Sequence, residues 1–159
     1  MACMDLRQWI DLLEREGELH RVKAQVDWDG EIGTISRRVL EEQGPALLFE
    51  NIKDHQKTRG RRVFTGGIGT RERLALALGF PKDTSNNAIV QHVMKKNREQ
   101  IAPVLVKSGP VKENIVKGAD IDLFEFPVPK WHYLEGGRYI NTYACIVTKD
   151  PDTGVQNAG

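Results

Sequence analysis

The sequence predicts an α+β fold, with an N-terminal α/β subdomain over residues 1–118 and the start of a β-rich unit over residues 119–159. Three observations carry that reading. Apolar residues recur at helical spacing in several separate stretches, and short alternating or wholly apolar runs lie between those stretches. After residue 117 the helical pattern stops, and a proline-bounded segment leads into a hairpin pattern.

The elements follow in order. Asp5 can cap a first helix with Gln8 at its third position, and Leu6, Trp9, Ile10 and Leu13 form its apolar face before Gly17 ends it. Residues 19–26 alternate, with Val22, Ala24 and Val26 on one side, as a half-buried strand does. A second helix is expected over residues 31–42, with Ile32, Ile35, Val39 and Leu40 inward, an acid at its start and Gly44-Pro45 beyond its end. Residues 46–49 are apolar and bounded by turn formers, so they read as a buried strand. The basic stretch 53–62 lacks aromatic interleaving and reads as a solvated hairpin loop.

Residues 63–65 resume a strand, and Gly66-Gly67-Ile68-Gly69-Thr70 opens a helix over 71–78. A glycine-rich turn entering a helix can cradle a phosphate. Glu72 stands where a dinucleotide site needs a small residue, however, and no Gly-Lys-Ser/Thr follows, so a structural turn is the preferred reading and a nucleotide-binding module the weaker one. Thr84 or Ser85 can cap a helix over 86–100 that turns Ile89, His92, Val93 and Ile101 inward. Strands are expected at 103–106 and 111–116, then a long β-run at 139–147, a Pro-Asp-Thr-Gly turn at 151–154 and a returning strand from Val155. A hairpin that stops inside its second strand suggests part of a longer protein, and its open edges invite a second copy, so a homo-oligomer is expected.

Composition narrows the function classes. With 23 Lys+Arg against 22 Asp+Glu, the net charge of +1 provides no global attraction to nucleic acid or an anionic membrane. Two cysteines, Cys3 and Cys145, are too few for a disulfide framework, and no apolar run is long enough to span a bilayer, so a cytoplasmic location is expected. The four histidines never fall at metal-ligand spacing with each other or with a cysteine. Asp120 and Asp122 share one face of an expected strand, where solvent exposure is the plainer reading. Cys145 alternates with Tyr143 and Val147 and reads as a small buried hydrophobe.

The stretch Gly44-Pro45-Ala46-Leu47-Leu48-Phe49-Glu50-Asn51 resembles the UbiD family of prenylated-flavin-dependent decarboxylases. The opening Asp5-Leu6-Arg7 to Leu19 region, the RERLALALG run at 71–79 and Asp120-Ile121-Asp122-Leu123 are similar to that family as well. So are Pro127-Val128-Pro129-Lys130-Trp131-His132, Gly136-Gly137-Arg138-Tyr139-Ile140-Asn141-Thr142 and Asp150-Pro151-Asp152-Thr153-Gly154-Val155-Gln156-Asn157. The resemblance implies a carboxy-lyase acting reversibly on aromatic or α,β-unsaturated carboxylic acids, with prenylated FMN as electron sink and a flavin prenyltransferase as cofactor supplier. It implies that residues 119–159 begin a split β-barrel-like flavin-binding domain. Asn157 would be a ligand for Mn2+ or Mg2+ at the flavin phosphate, Thr142 would line the cofactor pocket, and K+ would accompany them. The family's other metal ligands and its catalytic Glu-Arg-Glu set would lie beyond Gly159. The expectation is an N-terminal fragment that is inactive alone, and the alternative is a non-catalytic small subunit partnering a separate catalytic chain.

Overall fold

The computed structural model describes residues 5–99, 101–102, 104–141 and 144–159. Helix α1, Leu6–Arg15, starts where Asp5 accepts a hydrogen bond from the Gln8 amide at 2.8 Å, and it ends ahead of Gly17, whose φ of 71° needs glycine. Strand β1, Leu19–Val22, follows directly. Arg21 locks the two together: it donates to both carboxylate oxygens of Glu14 on α1, at 2.6 and 2.7 Å, and to Glu50 at 2.7 Å.

Helix α2, Glu31–Glu41, crosses from β1 to strand β2, Ala46–Phe49, and such a crossover makes β1 and β2 parallel. Strand β3, Val63–Thr65, then pairs antiparallel with β2 on its other side. All four residues of β2 are buried, as a central strand covered on both faces demands. Leu47 and Phe49 share a cluster with Val26, Ile32 and Ile52, against which Ile35, Val39 and Trp131 pack. Each such large side chain contributes roughly 1.5–3 kcal/mol by leaving water.

Helix α3, Arg71–Ala77, is capped by Thr70, and helix α4, Asn86–Lys96, by Ser85. Arg73 on α3 is only 1% exposed; its Nη1 donates to the Gly44 carbonyl at 2.9 Å and to Glu18 at 3.2 Å. Lys82 reaches the other Glu18 oxygen at 3.1 Å. A buried guanidinium is costly unless paired, and Glu18 supplies the pairing charge.

Several expectations from the sequence are corrected. The strand at 19–26 ends at Val22, and Ala24 is exposed. Between the pairs Val22–Phe49 and Val26–Ile52 the first strand has one residue more than its partner, so residues 23–25 bulge out of the ladder. Leu40 is 48% exposed, on the flank of α2 rather than in the core. Helix α4 stops at Lys96, where bonds from Arg98 to Lys95 and Glu99 to Lys96 tighten the last turn, so Val93 and Ile101 (92% exposed) are not inward.

The strands expected at 103–106 and 111–116 are not formed by the described residues there. Val104, Leu105 and Val106 are exposed, and Pro110–Lys112 is a 3₁₀ turn begun by the fixed φ of proline. Pro103 lies outside the described residues. Asp120 ends the 3₁₀ turn Gly118–Asp120, and Asp122 caps the next, Leu123–Glu125, so the two carboxylates sit on turns and not on one strand face. Among the described residues of the run at 139–147, Val147 alone enters a strand: β4, Val147–Lys149, pairs with β5, Gln156–Ala158. Residues 139–141 have no ladder partner among the described residues, and a strand without one has no backbone bonds to hold it.

Residues 127–131 return to the sheet unit, with Pro127 and Pro129 buried. The Lys130 amide donates to the Trp28 carbonyl at 2.9 Å, and the Gly30 amide donates to the Lys130 carbonyl at 3.0 Å. The approach is so close that a Cβ on Gly33 of α2 would overlap the Trp131 carbonyl oxygen and lie 3.0 Å from the Trp131 Cα. Gly33→Ala gains about 1 kcal/mol of helix propensity but meets backbone, which typically costs about 1–3 kcal/mol. Urea unfolding is therefore expected to show a net loss in Gly33→Ala, whereas Gly137→Ala, with open space around it, should stay within about 0.5 kcal/mol.

Candidate functional site

The β4–β5 hairpin carries Asn157, opposite Thr148 and exposed. Its turn is built by Asp150, whose Oδ1 accepts from the Thr153 amide at 2.7 Å and the Asp152 amide at 2.9 Å. These bonds, that from Thr153 foremost, hold the Asp150 carboxyl below the usual carboxylate range. Asp150 thereby sets the register that puts Asn157 on its strand. Thr142 lies outside the described residues. Cys145, expected to be buried, is exposed: it precedes β4 on a hairpin with no covering layer among the described residues.

Among the described residues no group of three His, Cys, Asp or Glu side chains comes together as a metal site. A hard divalent cation takes about six oxygen ligands, and this hairpin offers the amide oxygen of Asn157. The donor type fits such an ion.

A second feature is a groove of about 1170 Å³ along α2, walled by Ser36, Arg37 and Leu40 on one side and Trp131, His132 and Tyr133 on the other. Ser36 and Thr65 are hydrogen-bonded across its floor at 3.1 Å. Glu135 orders its rim, accepting from the Trp131 amide at 2.9 Å and pairing with His132 Nδ1 at 2.7 Å; the His132 bond is the main reason the Glu135 carboxyl sits below its ordinary range. Trp131 Nε1 is buried without a hydrogen-bond partner among the described residues. The glycine-rich turn at 66–70 is occupied by its own surroundings: a Cβ on Gly67 would meet the Phe64 ring, and one on Gly69 would meet Leu40. Close packing accounts for Gly67 and Gly69, and a φ of 71° for Gly66.

The third feature lies in the 53–62 loop. His55 is buried, and Arg138 from the Gly136-Gly137 turn packs over it. Sequence reading missed both residues. The contact spans 83 positions, and neither periodicity nor spacing signals it.

Two family models match the chain in succession. The N-terminal domain of 3-octaprenyl-4-hydroxybenzoate carboxy-lyase, the first UbiD domain, covers residues 10–93, and the Rift-related domain of the same enzyme covers residues 103–159. The chain belongs to the UbiD family. Among its UbiD-family relatives, the pyrrole-2-carboxylic acid decarboxylase of Pseudomonas aeruginosa is 41% identical over 95% of this chain and 32% of its own length. Ferulic acid decarboxylase 1 of Candida dubliniensis is 31% identical over 98% of this chain and 33% of its own length. The vanillic acid decarboxylase of Sedimentibacter hydroxybenzoicus, in an open form, superposes with a TM-score of 0.84 at 33% identity, covering 100% of this chain and 35% of that one. An evolved dimeric form of the UbiD-class enzyme HmfF from Pelotomaculum thermopropionicum, in complex with prFMN, reaches 0.79 at 32% identity, covering 98% and 34%. This UbiD-family chain thus spans about a third of the length of the curated relatives it matches. Their fold is a mixed helix-and-strand one, as the sequence predicts, and no helix among the described residues is long and apolar enough to cross a membrane.

The hairpin makes a pH-dependent prediction. The Asp150 carboxyl is depressed in the folded chain, so its contribution is present above the ordinary aspartate value of about 3.9 and is lost as pH falls through the folded value. The protection of the Thr148 and Asn157 amides against exchange, relative to an open chain at the same pH, is expected to fall below about pH 4 in the wild type and to be low already at neutral pH in Asp150→Ala.

Proposed function

We propose that the chain is the N-terminal portion of a UbiD-type carboxy-lyase that removes CO2, reversibly, from an aromatic or α,β-unsaturated carboxylic acid. The observation that carries this reading is the ordered match of both family models along a chain 41% identical to a pyrrole-2-carboxylic acid decarboxylase. Prenylated FMN, when bound to the complete enzyme, supplies the electron sink; a flavin prenyltransferase supplies the cofactor. HmfF is described with prFMN and with FMN, which supports a flavin.

In this reading residues 1–118 are an α/β support and residues 119–159 the first part of the flavin domain. Asn157 contributes one neutral oxygen to Mn2+ or Mg2+, a ligand type that suits hard cations; Thr142 faces the cofactor, and K+ completes the ion set. The β4–β5 turn, pinned by Asp150, orients the Asn157 strand. The ligand count explains why these 159 residues are proposed to be inactive by themselves, and the complete enzyme is taken to be a cytoplasmic homo-oligomer.

The test joins this chain to the remaining two thirds of the Pseudomonas aeruginosa relative, supplies prenylated FMN and Mn2+, and measures CO2 release from pyrrole-2-carboxylate, ferulate and vanillate. The chain alone is expected to be inactive and the fusion active on at least one acid. Asn157→Ala should lower the fusion's rate at least about tenfold with loss of retained manganese. Turnover by the 159 residues alone, or an unchanged Asn157→Ala fusion, would refute the reading. An inactive fusion, combined with capture of a separately made catalytic chain, would favour a non-catalytic small subunit instead.

A further inference from the structure

The loop between β2 and β3 reads as a solvated basic stretch, yet it carries one of the most enclosed polar side chains of the described residues. His55 is 3% exposed. Its amide donates to the Ile52 carbonyl at 3.0 Å, which folds the loop back and turns the ring inward. Thr58 Oγ1 lies 3.3 Å from His55 Nδ1 and 2.6 Å from the Gly60 carbonyl. A hydroxyl has one proton to give, and the shorter distance assigns it to Gly60, which leaves a lone pair for an Nδ1–H.

On the other side of the ring, Arg138 Nη1 stands 3.4 Å from His55 Nε2. A guanidinium has only donors, so Nε2 must be the acceptor, and the ring that satisfies both neighbours is neutral with its proton on Nδ1. The same guanidinium is clamped between two rings, 4.3 Å from the centroid of Trp28 and 4.8 Å from that of Phe124. Four separate stretches therefore meet at Arg138: the turn before α2, the 53–62 loop, the turn Leu123–Glu125 and the Gly136-Gly137 turn.

The charges around His55 are already engaged. On its own loop, Asp54 accepts from Trp28 Nε1 at 3.3 Å, and Arg59 pairs with Glu125 at 3.2 Å. From the 123–125 turn the Glu125 backbone carbonyl faces the ring, and from the turn before α2 Asp27 is held by Lys53 at 2.6 Å. Among the described residues no carboxylate stands between His55 and Arg138.

We propose that His55 is a proton-operated latch on Arg138: neutral, it holds Arg138 and the 136–141 segment against the sheet unit, and protonated, it releases them. Protonation would aim an N–H at an N–H and set two cations 3.4 Å apart. Arg138 is retained mainly by two rings, one of them largely exposed, so it is the partner that yields. Burial first, and then Arg138, push the imidazole below its ordinary value of about 6.5, outweighing Asp54 and the Glu125 carbonyl. A group so depressed stabilises the folded form above about pH 6.5 and loses that contribution as pH falls through the folded value.

The experiment follows the histidine ring, Trp28 indole and Phe124 ring resonances of the 159-residue chain from about pH 8 to 5. The His55 midpoint is expected below about 6.5, with Trp28 and Phe124 shifting at the same midpoint. One proton changes the clamped population by at most about tenfold per pH unit. Arg138→Gln should move the His55 midpoint upward, and His55→Gln should make the Trp28 and Phe124 signals independent of pH over this range. Trp28 and Phe124 signals that ignore the His55 titration in the unsubstituted chain overturn the proposal. That comparison needs no variant, so a variant that fails to fold does not blunt it.

Discussion

The backbone contact between residues 28–33 and residues 130–131 is the constraint on which the rest of the arrangement depends. Two backbone hydrogen bonds, one in each direction, tie Lys130 to Trp28 and Gly30, and the Asp29–Lys130 pair at 3.6 Å adds charge to the same point. Side chains could not come so near. The contact exists because Gly33 presents bare helix backbone to Trp131, while the left-handed Gly30 starts α2 with its amide free to bond outward. Once residue 131 is fixed, its indole joins the Ile32–Phe49 cluster, and the buried Pro127 and Pro129 keep the approach extended.

From this contact the polar features take their places. The groove along α2 exists because Trp131, His132 and Tyr133 are held beside that helix instead of spreading into a strand. A few residues on, Arg138 reaches back over the same turn to stack on Trp28. One glycine-rich helix start therefore governs both the groove and the His55–Arg138 cluster. The β4–β5 hairpin, by contrast, is organised locally by Asp150 and presents Asn157 at an exposed strand.

Local chemistry was legible in the sequence and long-range pairing was not. Asp5 caps α1, and Ser85, one of two candidates, caps α4, because a cap depends only on the next three residues. The wholly apolar 46–49 run reads correctly as a buried strand because only burial on both faces tolerates it. Alternation at 104–106, 111–116 and 139–141 misled, since β-propensity becomes a strand only beside a partner, and none stands there among the described residues. The bulge at 23–25 depends on a count of residues in two strands at once. His55 is the sharpest case: a histidine inside a basic loop looks solvated until Arg138, far along the chain, covers it. Of the two residues proposed to face the cofactor, Asn157 sits on the returning strand that its turn motif announces, and the role proposed for it rests on the family resemblance and not on geometry.

Membership of the UbiD family gives these contacts their setting, since the first matched family domain ends within α4 and the second begins at residue 103, ahead of the 3₁₀ turns. The docking of residues 130–131 ties the second matched stretch to the first through backbone. Hydrogen exchange at the Gly30 and Lys130 amides measures it most directly. If the docking holds, both amides should be protected to a degree comparable with Leu47 and Phe49 of the central strand. Exchange of Gly30 and Lys130 at unprotected rates, with the central strand still protected, would contradict it.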